Sequence, residues 1–198
     1  MTGTSRQGRI DRRTKETQIQ LEFTIDGQGQ VDLRTGVPFL DHMLTLFCVH
    51  GLFDMTLQAV GDLEVDAHHT VEDIGICLGE ALAMALGDRK GIRRYGFAVT
   101  PMDEACAQVA LDLSNRPYLV YQTPPLAASV GQFETELVPE FLRAFCLRGG
   151  VTLHIQAPYG SNTHHIIEAL FKALGRALDE ATRTDERRAG VPSSKGSL

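Results

Sequence analysis

HHTVEDIGICLGEAL begins at His68 and HHIIEALFKALGRAL begins at His164, and the two stretches align without a gap on His, His, Glu, Leu, Gly, Ala and Leu. A second pair keeps nearly the same register. HMLTLFCVHG from His42 matches EFLRAFCLRG from Glu140, which puts Phe47 and Cys48 on Phe145 and Cys146, and Gly51 on Gly149. Two separate segments agreeing so closely mark the duplication of a unit of about a hundred residues. The chain then divides into a first half over 1–95, a second half over 96–183 and a tail over 184–198, with the halves meeting within 91–100.

Both halves read alike. Each starts with an alternating strand, predicted over 17–25 (TQIQLEFTI) and 107–113 (AQVALDL), apolar on one face and polar on the other. A short strand over 31–33 precedes an apolar-periodic helix over 39–48, whose counterpart runs over 138–147, and Gly51 and Gly149 fit as helix stops. Strands over 55–60 and 151–156 and long helices over 69–86 and 165–180 follow. The class is α+β, two β-β-α-β-α units with sheets covered by helices on one side, packed as one pseudo-symmetric body. The tail, TDERRAGVPSSKGSL, is polar and without apolar period, so it needs a bound partner to order it.

Composition narrows the function. Hydrophobic residues at 43% and charged residues at 22% describe a globular chain able to bury a core. A formal net charge of −6 argues against nucleic acid, whose phosphates need a basic surface. No apolar run reaches a membrane span, and MTGTSRQGRIDRR lacks the apolar core of a secretory signal, so a cytoplasmic protein with no membrane partner is expected. Cys48, Cys77, Cys106 and Cys146 stand singly in apolar stretches, as packing residues do.

The repeated histidines carry the chemistry. A metal centre needs nitrogen or oxygen donors converging on one point, and a helix brings residues three or four apart onto one face. His68 or His69 with Glu72 has that spacing, as does His164 or His165 with Glu168. Neighbouring helical residues point about 100° apart, so the two histidines of a pair serve different ions and each motif serves two metals. One His-His pair alone is more often a helix cap region. A repeat that keeps His, His and Glu while Thr70 and Val71 become Ile166 and Ile167 favours shared ligation. Donors without thiolate point to manganese, iron, cobalt, nickel or zinc rather than magnesium or a structural zinc knot.

Eight motifs in order extend the reading: RRTKET at 12–17, PFLDHM at 38–43, HHTVED at 68–73, GIRRYG at 91–96, PMDEA at 101–105, DLSNRPYL at 112–119, HHIIEALFKALGRAL from His164, and PSSKG at 192–196. Together they make the chain resemble the imidazoleglycerol-phosphate dehydratase family over nearly its whole length. The resemblance implies a fold like ribosomal protein S5 domain 2. It also implies dehydration of D-erythro-imidazole glycerol phosphate to imidazole acetol phosphate in histidine biosynthesis, through a metal-bound imidazolate with two Mn2+ ions per active site, other divalent transition metals being alternatives. The implied metal ligands are His42, His68, His69, Glu72, His164, His165 and Glu168. Glu140 stands where many members have histidine, and is carried as an eighth ligand.

The resemblance further implies Glu16 as general base or acid, His50 near the substrate, and Asp103 and Glu104 as helpers. Arg94, Arg116, Ser193, Ser194 and Lys195 would hold the phosphate, since fixed cationic donors and the planar Arg fork suit it. The rest of the phosphorylated imidazole substrate would meet Glu16, His42, His50, His68, Glu72, His164 and Glu168. A homo-oligomer of 24 subunits built from trimers is implied, with dehydratase activity alone because no phosphatase-like segment is appended. The rival expectations are a di-metal hydrolase and a non-catalytic metal-assembled scaffold, in which the phosphate residues would have no task.

Overall fold

A computed structural model describes residues 5–188 and 190–196. Of the tail over 184–198, Ala189, Ser197 and Leu198 lie outside the described residues, as do residues 1–4 of the first half. The first half contains β1 (Gln7–Arg13), β2 (Thr17–Thr24), β3 (Val31–Arg34), α1 (Pro38–Gly51), β4 (Asp54–Gly61) and α2 (His68–Leu86). The second contains β5 (Tyr95–Met102), β6 (Ala105–Asp112), β7 (Tyr118–Gln122), the small hairpin β8 (Ser129–Val130) and β9 (Phe133–Glu134), α3 (Leu137–Gly149), β10 (Thr152–Tyr159) and α4 (Thr163–Thr182).

The duplication is visible in the sheets. One has strand order β1-β2-β4-β3 and the other β5-β6-β10-β7, each antiparallel except at its last, parallel pair. In β2, Thr17, Ile19, Leu21 and Phe23 are buried while the alternate residues are not, as period-2 alternation requires. Each unit carries one strand at its front, β1 or β5, beyond the β-β-α-β-α set that periodicity picks out. Each sheet turns one face to the helices and the other to solvent, as expected for an α+β fold covered on one side.

Helices join the halves. α2 lies on β1 and β2, and α4 on β5 and β6, but α1 packs on α4 and α3 packs on α2, so each half completes the other's helical layer. Phe47 of α1 stacks near Phe23 and Phe53 at 6.2 and 5.2 Å between ring centroids, and Phe141 of α3 meets Phe171 of α4 at 5.8 Å. Burying each such ring stabilises the fold by roughly 1.5–3 kcal/mol. Gly51 and Gly149 do end their helices, but the left-handed residues are the next ones, Leu52 at φ 56° and Gly150 at φ 61°.

The glycines themselves serve the crossings. A Cβ on Gly175 would lie 2.3 Å from the Phe47 carbonyl oxygen, and one on Gly79 would lie 2.6 Å from that of Phe145. Gly175 and Gly79 are repeat partners, as are Gly51 and Gly149, and each crossing places a glycine of one pair against a glycine of the other. The four cysteines are buried and unpaired, and burial pushes the Cys77 and Cys146 thiols up to about 12. Among the described residues no helix is long and apolar enough to cross a membrane.

Alanine normally favours a helix interior over glycine by about 1 kcal/mol. At these crossings the sign reverses: Gly175→Ala and Gly79→Ala each lower the melting temperature of the metal-free protein by roughly 3–10 °C, because overpacking outweighs propensity. Unchanged or raised melting in both variants would mean that the helices do not meet so closely.

Candidate functional site

Asn162 starts the site. Its side chain caps α4 by accepting hydrogen bonds from the backbone N–H groups of His164 and His165 at 2.9 and 3.4 Å, which fixes both histidines in the first helical turn. Because α1 packs on α4, His42 of the first half reaches the same place. His42 Nε2 lies 3.5 Å and His164 Nε2 3.2 Å from Glu168 Oε2, and one donor atom of each residue lies within 4.8 Å of the others. Among the described residues this is the one three-residue group able to hold a metal.

Two imidazoles and a carboxylate fit a borderline divalent transition metal. Glu168 is only 8% exposed, so its charge needs partners. Lys172 Nζ occupies the other oxygen, Oε1, at 2.6 Å, and leaves Oε2 to the two histidines. Burial opposes the ionised form of Glu168, but the Lys172 hydrogen bond and the neighbouring positive charges outweigh it and hold the carboxyl below its usual range. Lys172 went unnoticed in the sequence, although its spacing of four from Glu168 was a readable signal.

The second histidine of each pair turns elsewhere, as the 100° rule requires. His164 and His165 rings stand 6.3 Å apart at 78°, and His68 and His69 rings 6.2 Å apart at 83°. His165 Nδ1 meets Glu104 at 2.7 Å, which raises its pKa, and His69 Nδ1 meets Asp62 at 3.0 Å with the same effect. Asp103 lies 3.9 Å from His165.

The two turn acids, Glu16 and Glu104, are repeat partners in unlike states. Glu104 also accepts hydrogen bonds from the backbone N–H groups of Ser161 and Asn162 at 3.2 and 2.7 Å. His165 and these amides hold its carboxyl down at about 2. Glu16 comes no nearer than 4.0 Å to His69 Nδ1, and its side chain is 54% exposed.

Not every expected ligand converges. The repeat makes His68, Glu72 and Glu140 the counterpart of the observed group, but the Glu140 carboxylate pairs with Arg143 instead. With Glu140 in place of an imidazole, this set carries two carboxylates where the observed group carries one. His50 lies two turns along α1 from His42, where partial burial and the charges of Lys172 and Arg176 lower its pKa.

The expected phosphate residues do meet. Arg94, Arg116, Ser193, Ser194 and Lys195, with Tyr95, Ser114 and Asn115, line a cavity of about 390 Å³. Asp112 receives Arg94 through both Nε and Nη2 at 2.6 and 2.9 Å, and the Arg94 Nη1 donates to the Pro192 carbonyl at 2.6 Å, tying the tail down. Arg116 is looser, 3.4 Å from Asp112 with its side chain 68% exposed. A larger cavity, about 590 Å³, opens beside His42 between Phe39, Leu63, Phe133 and Leu137.

The two groups stand apart. His164 opens α4, while the Arg94 backbone N–H donates to Ala181 near its far end. Most of a 20-residue helix separates them, about 25 Å at 1.5 Å per residue.

Residues 35–178 match the family model described as imidazoleglycerol-phosphate dehydratase. The chain is 75% identical over 193 residues to the imidazoleglycerol-phosphate dehydratase of Syntrophobacter fumaroxidans, covering 98% of each, and 61% identical over 187 residues to that of Bacillus subtilis, covering 94% of this chain and 96% of the relative. The crystal structure of the Staphylococcus aureus dehydratase superposes with a TM-score of 0.82 at 41% identity, covering 90% of this chain and 99% of that one. The Pyrococcus furiosus structure, solved with (S)-C348, also gives 0.82, at 39% identity over 96% of this chain and 100% of that one.

The two arginines respond differently to removal. Arg116→Ala weakens binding of inorganic phosphate about tenfold, the loss of one charge-assisted bond pair, and leaves melting unchanged. Arg94→Ala weakens phosphate binding and also lowers the melting temperature by several degrees, because Asp112 loses its buried partner. Equal melting of the two variants would contradict this division.

Proposed function

The chain belongs to the imidazoleglycerol-phosphate dehydratase family, lyases of histidine biosynthesis, and from that premise we propose that it dehydrates D-erythro-imidazole glycerol phosphate at sites completed between subunits. One observation carries the reading. A chain with an imidazole-and-carboxylate group at one end of α4 and a cationic, hydroxyl-lined cavity at the other holds partners for both ends of this substrate, too far apart for one molecule to reach. The phosphate cavity of one copy must then face the metal ligands of another, in keeping with a closed assembly of 24 copies built from trimers.

The residues proposed to hold manganese are His42, His164 and Glu168 as one set, with His68, His69, Glu72, His165 and Glu140 completing a two-metal site across copies. Manganese held there would supply Lewis-acid chemistry toward the imidazole ring, which would then be easier to deprotonate. Glu104 keeps His165 oriented by its short hydrogen bond, as a carboxylate does behind a metal-binding histidine. Arg94, Arg116 and Lys195 are proposed to bind the phosphate, with Ser193 and Ser194 adding donors from the tail that Arg94 ties down at Pro192.

Loss of water needs one proton to leave carbon and one to reach the departing hydroxyl. Glu16, whose carboxylate is committed to no strong partner, is the group proposed to move a proton, and His50, whose imidazole is pushed toward its neutral form by burial and by Lys172 and Arg176, is proposed to lie near the substrate. We assign the halves over 1–95 and 96–183 to one body rather than to separate functions, and the working compartment to the cytoplasm.

Two measurements test the proposal. Chelation abolishes turnover of imidazole glycerol phosphate by the purified assembly, and added manganese restores it. Arg116→Ala and His164→Ala proteins, each assayed at substrate well below KM where the first keeps at most about a tenth of the activity and the second none, reach about a quarter of wild-type activity when co-assembled in equal amounts, because about a quarter of the shared sites then carry both native ends. Complete failure of the co-assembled mixture would place both ends of the site on one chain.

A further inference from the structure

The polar cluster beneath the β1–β2 turn lies outside the residues expected to bind metal or phosphate. Asp73 follows Glu72 on α2 and is 7% exposed. It accepts a hydrogen bond from Arg12 Nη2 at 2.8 Å and another from the Thr17 hydroxyl at 2.5 Å. Thr17 is the neighbour of Glu16. The backbone of both is hydrogen-bonded: Thr14 Oγ1 accepts from the backbone N–H groups of Glu16 and Thr17 at 3.1 and 2.9 Å, and Asp62 N–H donates to the Glu16 carbonyl at 3.2 Å.

The second half lacks this clamp. Arg12 lies opposite Ile19 and Thr100 opposite Ala107, so the hairpins superpose with Arg12 on Thr100, Thr17 on Ala105 and Glu16 on Glu104. On the helices Asp73 falls on Ala169. Three polar groups in one half are thus a threonine and two alanines in the other. There the acid itself is pinned, by Ser161, Asn162 and His165. In the first half the backbone on either side is pinned and the carboxylate is left free.

We propose that Asp73 is a positioning residue, which sets the turn so that the Glu16 carboxylate stands over the ligands of α2 while remaining unbound. The inference rests on the assignment of proton transfer to Glu16. A buried ion pair with well-made hydrogen bonds resists displacement, since breaking one partner leaves a charge unpaired. A geometric error of about 1 Å at a reacting group lowers the rate about a hundredfold. Neighbouring helical positions point about 100° apart, so Asp73 can hold the turn while Glu72 faces the cation.

The test is a double-mutant cycle on the assembled, manganese-loaded enzyme: Asp73→Asn, Thr17→Val, Glu16→Gln, and each of the first two combined with Glu16→Gln. Asp73→Asn lowers kcat about ten- to a hundredfold with KM within about threefold and manganese content unchanged, and Thr17→Val lowers it in the same direction but less. In the Glu16→Gln background neither substitution lowers kcat further. Full kcat in Asp73→Asn and Thr17→Val, or losses that multiply with that of Glu16→Gln, would overturn the proposal. Wild-type kcat in Glu16→Gln would instead show the proton-transfer assignment to be wrong, and the proposal would fall with it. If Asp73→Asn does not assemble, the Thr17→Val cycle decides alone.

Discussion

Everything in this molecule depends on two helix crossings so close that side chains are excluded from them. At each, a glycine near the end of a short helix lies against a glycine in the middle of a long helix from the other half. Van der Waals contact between backbones replaces the usual interlocking of side chains, and in a close-packed interior the atoms at such a contact have little room to adjust. The crossings bring His42 beside His164 and Glu168, residues distant in sequence and drawn from both repeats. The site is therefore a product of how the halves lock together, and neither half contains it.

The long helices and the inner strands were legible because burial leaves a periodic trace. α1, α2, α3 and α4 start and end within a few residues of the predicted spans, and β2 and β6 follow from strict alternation. The edge strands β1 and β5 were not legible. Gly8 and Gly96 face α2 and α4, and a Cβ on either would lie within about 2 Å of the Ala81 or Ala177 carbonyl oxygen. Where helix backbone approaches a strand so closely, glycine takes the inward position and the apolar signal disappears. Gly51 and Gly149 do end their helices, but their packing role stays hidden for a related reason: glycine looks the same in sequence whether it turns the chain or admits a neighbour.

Of the chemistry, the sequence displayed the donors but not their distribution. The His-His-x-x-Glu pairs stand out by repetition and the phosphate residues by resemblance, and three cationic side chains and two serines of the latter share one cavity. That the two groups occupy opposite ends of α4 could not be read from a string of letters, nor could the different fates of Glu16 and Glu104. Identical residues at matching positions of a repeat are free to diverge through their neighbours. Thr17 and Asp73 in one half, Asn162 and Ser161 in the other, make one acid available and the other a brace.

The crossed pairing of helices also has the form of a two-fold relation. The first helix of one unit packs on the second helix of the other, and the reverse holds for the remaining pair. Such reciprocity is the defining property of an isologous contact, in which one patch meets its own copy. The chain thus carries within itself the geometry of a symmetric dimer whose two members have become covalently continuous near residue 91. Continuity released them from having to be the same: once each member always meets the other and never itself, histidine on one side and glutamate on the other can face unlike partners across what was a single surface.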